Sequence, residues 1–129
     1  MKGSTICTAL YSLVILMVVS IAVEAATIRV RCEQRSDRSE ISVDGRDLAP
    51  GNYKASVMSG SNTATSDVQV AVGDEAEFDF NSDPDNIADG ATPIDPYFIQ
   101  GEPITVTGKI LTPSGYTIIS DTVSCRVRN

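Results

Sequence analysis

The sequence predicts an all-β fold. It is expected to be one antiparallel β-sandwich of about seven strands, carried by residues 26–129 behind a cleaved signal peptide at residues 1–25. Three observations point there. Apolar residues recur with period two in run after run, which marks strands with one buried and one wet face. Gly- and Pro-containing turns separate the runs at hairpin spacing. Past the first apolar stretch no segment carries a helical stripe. An eight-stranded barrel is the second architecture that this pattern allows.

The elements follow in order. In MKGSTICTALYSLVILMVVSIAVEA, Lys2 supplies the positive start and Ala9 to Val23 the apolar stretch; Val23-Glu24-Ala25 supplies the cleavage site. About fifteen apolar residues fall short of the ~20 that span a bilayer. Cleavage is therefore expected rather than a retained anchor, with no stable membrane insertion afterwards. Cys7 precedes the apolar stretch, whereas a lipid-modified cysteine would follow it. Past the cut, TIRVRC sets Ile28, Val30 and Cys32 on one face, with Arg29 and Arg31 on the other. EISV adds Ile41 and Val43. After the turn LAPGN, YKASVM adds Tyr53, Ala55 and Val57. DVQVAV reads the same way, with Val68, Val70 and Val72 turned inward. EAEFDF alternates Ala76, Phe78 and Phe80 with Glu75, Glu77 and Asp79. NSDPDNIADGATPIDP, with three prolines and four aspartates, is read as a long loop. ITVTGKI contributes Ile104, Val106 and Ile110. The last run sets Val123, Cys125 and Val127 against Ser124, Arg126 and Arg128. The Ile118-Ile119 step breaks the alternation, so a bulge or bend is expected near Ser120 and Asp121.

Two stretches resemble known families. LAPGNYKASV resembles the L-x-P-G-x-Y turn and strand of immunoglobulin-like and prealbumin-like domains. VTGKILTPSGYTIISDTV resembles the G-x-V-x-x-x-x-G hairpin of prealbumin-like repeats, although hairpin and turn stand here in reversed order. Both resemblances imply a sandwich and carry no activity with them.

Cys32 and Cys125 lie on the apolar parity of the first and last runs. In an exported protein such a pair reads as a disulfide. Joining them closes a loop of about 94 residues, on the order of 4–5 kcal/mol in the chain-entropy account. The arginines of the same runs, Arg29, Arg31, Arg126 and Arg128, fall on the wet parity. They form one basic patch if the terminal strands are neighbours. That patch would either meet an anionic ligand or partner, or guard the strand edges against pairing.

Of ten basic and seventeen acidic residues, Lys2 and Glu24 precede the cut, which leaves nine and sixteen and a charge of −7. From Ala55 to Gly108 there are ten acidic residues and no basic one. A negative chain without a Lys/Arg-rich run argues against nucleic acid as a partner. The chain has no histidine, which removes the usual general base. Asp79, Asn81, Asp83, Asp85 and Asp89 offer hard oxygen ligands of the kind calcium takes, but Pro84 and Gly90 break the calcium-loop pattern. The expectation is an exported, non-catalytic binding or accessory module, secreted or periplasmic, for a protein or small ligand that the sequence does not name. No cofactor is expected. Two alternatives stand beside it: a calcium-dependent structural or adhesive module using loop 79–89, and a small hydrolase using paired carboxylates.

Overall fold

In the computed structural model, which describes residues 25–129, most of the period-two runs become strands. All but the last residue of the expected signal peptide lies outside the described residues. The strands are β1 (Thr27–Arg35), β2 (Arg38–Arg46), β3 (Asn52–Ser59), β4 (Asn62–Thr65), β5 (Gln69–Val70), β6 (Ala76–Asn81), β7 (Thr92–Pro93), β8 (Thr105–Leu111), β9 (Thr117–Ser124) and β10 (Arg126–Arg128). A short helix, α1 (Pro84–Ala88), stands between β6 and β7. One sheet runs β10-β1-β2-β6-β7. The other runs β4-β3-β8-β9, with β5 also on β3.

The two sheets face each other across one core. Val30, Cys32, Ile41, Val43, Phe78 and Phe80 come from the first; Tyr53, Ala55, Val57, Val106 and Ile110 come from the second. All eleven sit at positions where alternation placed an inward side chain. The sheets approach closely at Gly108. A Cβ there would meet Val30 Cγ2 at 2.7 Å and Val43 Cγ2 at 3.1 Å, so β8 has no room for a side chain at that point. Tyr53 closes the LAPGN turn by donating its hydroxyl to the Ala49 carbonyl at 2.5 Å.

Five expectations change. The described residues form ten strands rather than about seven, because β5, β7 and β10 are fragments of two or three residues. The sandwich is not wholly antiparallel: β1 pairs β10 in parallel, and β6 pairs β7 in parallel. Val68, Val70 and Val72 are 49%, 68% and 84% exposed. Alternation there describes an edge strand with no second layer above it, so its apolar parity faces water. The irregularity of the last hairpin lies at Ile118, where the register passes from Ile110↔Ile119 to Leu111↔Thr117, rather than at Ser120 and Asp121. Finally, the Pro- and Asp-rich stretch is structured. Asp83 and Pro84 start α1, as an N-cap and an N1 proline do.

The residues after α1 seal one end of the sandwich. Ile94, Phe98 and Ile99 are buried and join the core. Two buried serines hold their backbone. Ser39 donates to the Pro96 carbonyl at 2.7 Å, and Ser59 accepts from the Gln100 N–H at 2.8 Å. Asn62 adds a bond from Nδ2 to the Phe98 carbonyl at 2.9 Å. Among the described residues no helix is long and apolar enough to cross a membrane.

Candidate functional site: the outer face of the first sheet

β9 belongs to the second sheet up to Ser124 and re-emerges as β10 in the first. Cys125 sits at the crossing. It bonds Cys32 of β1, with sulfurs 2.02 Å apart and Cα atoms 4.8 Å apart. The Cys125 N–H donates to the Ile104 carbonyl at 3.0 Å, which pins the crossing from the other side. The expected disulfide is therefore present, and it brings the two ends of the domain together.

With β10 laid parallel to β1, Glu33 pairs Arg126 and Arg35 pairs Arg128. Arg29, Arg31, Glu33 and Arg35 alternate with buried Val30 and Cys32, so they occupy the outer face beside Arg126 and Arg128. All four arginines singled out in the sequence thus lie on one side of one sheet. Arg35 joins them, a residue that sequence reasoning passed over although it continues the same parity. Their bonding differs. Arg128 meets Glu33 at 2.9 Å, Arg35 meets the same carboxylate at 3.2 Å, and Arg31 meets Asp44 at 3.4 Å. Arg29 and Arg126 form no ion pair among the described residues.

The far side of this face is acidic. Glu77 and Asp79 of β6 pair with Asp44 and Ser42 of β2. A cleft of about 320 Å³ there touches Glu40, Glu77, Asp79, Asn81 and Asp89. The five residues proposed for calcium divide. Asp79, Asn81 and Asp89 border this cleft, while Asp83 and Asp85 do not. Asp79 accepts from the Ser42 hydroxyl at 3.1 Å, and Asn81 Oδ1 accepts from the Asp83 N–H at 2.9 Å. Asp83 is fully engaged. Its Oδ1 accepts from the Asp85 N–H at 2.9 Å, and its Oδ2 from Arg38 at 2.6 Å. Those contacts, the Asp85 N–H foremost and then Arg38, hold its carboxyl below the usual 3.8. Among the described residues no three carboxylates converge on a point that could hold a metal ion.

A second cleft, of about 490 Å³, opens on the basic side where β9 crosses to β10. Arg31, Glu33, Glu40 and Ser42 border it from the sheet; Ser124 and Arg126 border it from the crossing, with Val30 and Cys32 alongside. Nothing in the sequence signals this cleft. It exists because one strand changes sheets, which alternation alone does not reveal. The chain matches no protein-family model, no curated protein and no solved structure.

Proposed function

We propose that this is an exported, non-catalytic binding module, and that its basic side along β10 and β1 engages an anionic group on a partner. One observation carries the reading: Arg126 and Arg31 line one cleft at the sheet crossing, while Arg29 and Arg126 remain without ion pairs among the described residues. A guanidinium outside any ion pair keeps its donors available for a bidentate anion, even with Glu33 and Glu40 on the same rim. Ser42 and Ser124 add hydroxyls at the same rim. Export is supported by the disulfide, since such bonds persist in oxidising compartments. The non-catalytic reading is supported by the absence of histidine. The strand order supports an immunoglobulin-like connectivity. The first, second and fifth long strands share one sheet, and the third, sixth and seventh share the other. The fourth has moved to the outer edge of the second sheet.

Immobilised heparin, a sulfated polyanion, tests the surface. A protein of pI about 4.4 should pass through such a column at pH 7 unless a local basic patch holds it. We expect retention at low salt and release at physiological salt, as the Debye length falls below roughly 10 Å. Arg29→Ser with Arg126→Ser should flow through. Passage of the unaltered protein at low salt, or equal retention of the double variant, overturns the proposal.

A further inference from the structure

We infer that the open edge of β1 takes up an extended acidic segment of a partner protein as an added strand. This deepens the reading of the basic side as a binding surface and rests on it. β2 pairs β1 along its whole length, from Thr27↔Arg46 to Arg35↔Arg38. On the other side β10 covers only Glu33 to Arg35. Thr27–Cys32 therefore present one row of backbone groups with no strand hydrogen-bonded to it among the described residues, although β9 comes close to β1 before the crossing. The chain that could have lain there is committed elsewhere: Thr117–Ser124 pair with β8 in the second sheet. The 490 Å³ cleft opens where the cover stops, between Val30–Glu33 and Ser124–Arg126. A strand entering it would continue the line of β10 over six residues, roughly 20 Å.

The side chains beside this edge select what can pair. Two copies of the chain meeting antiparallel about Val30 would set Arg29 against Arg31 twice. Like charges directly opposite destabilise such a pair. The arginines thus keep the edge from its own copies, which is how exposed edges are commonly protected. A strand carrying a carboxylate at every second position would instead set negative charge against the same two residues. Backbone bonds then supply affinity, and the arginines supply choice through one repulsive and one attractive element. The Arg31–Asp44 pair is no obstacle. At 3.4 Å, with the arginine 59% exposed, it is a weak surface contact that a partner carboxylate can replace.

The probe is an octapeptide of alternating glutamate and valine, titrated against the disulfide-bonded domain with amide exchange read residue by residue. Binding should protect alternate amides within Thr27–Cys32. The same peptide methylated at every backbone nitrogen should bind at least about tenfold more weakly, because its charge is kept and its donors are gone. A lysine–valine octapeptide should not bind, and Arg29→Ser with Arg31→Ser should weaken the parent peptide by about tenfold. If the methylated peptide binds as tightly as the parent, or protection falls outside Thr27–Cys32, the added strand is wrong while heparin retention stands. If no peptide binds and heparin retention also fails, both readings fall together.

Discussion

Asp83 serves two elements at once. It caps α1 through the Asp85 N–H, and it ties the helix to β2 through Arg38. The Asp85 N–H and Arg38 both favour its ionised form, which is why the carboxyl sits below 3.8. A folded value below the unfolded one means that the stabilisation is fully present above pH 3.8. It is lost as pH falls through the lowered folded value. Asp83→Asn should therefore be less stable than the unaltered protein at pH 7, and the difference should close towards about pH 2. Urea unfolding at both pH values checks this; a difference that does not change with pH would show that the charge is not what matters. The partner of Asp83 was not legible in advance. Alternation assigns a face to each residue, but Arg38 lies 45 positions from Asp83 and no local pattern links them.

The segment after α1 shows why some elements were readable and others were not. β1, β2, β3, β6 and β8 each have one face covered by the opposing sheet, so the alternation reports burial directly. β5 has the same pattern and no cover, so the same inference gave the wrong side. Ile94, Phe98 and Ile99 have no period at all, yet they are buried because they close an open end rather than line a sheet. Prolines and aspartates nearby masked them as loop. The sealing role has a measurable cost. Phe98 is 4% exposed, and Phe98→Ala should cost about 3–5 kcal/mol in chemical denaturation, the range for a large buried aromatic. A loss under about 1 kcal/mol would mean that the segment merely rests on the sandwich.

Across the whole molecule, one covalent bond and one charge pattern set the behaviour. The bond joins two cysteines 93 positions apart and closes the chain between them into a ring. Cys32→Ser with Cys125→Ser should remove on the order of 4 kcal/mol, a fall of roughly 15–25 °C in Tm for a domain this size. A shift of only about 2 °C would place the stabilisation elsewhere. The charge pattern runs across the first sheet, from arginines on β10 and β1 to carboxylates on β6, and it orients the domain in the field of a charged partner. The same bond has a mechanical meaning. A pull on the two ends enters through β1 and leaves through β10. The Cys32–Cys125 link lies directly between them, so tension passes across it and bypasses everything from Glu33 to Ser124. About 300 Å of extended chain is thereby withheld from stretching. A tether built from this domain would hold its length under load, with the chain from Glu33 to Ser124 spared from extension, until a reductant cut the link.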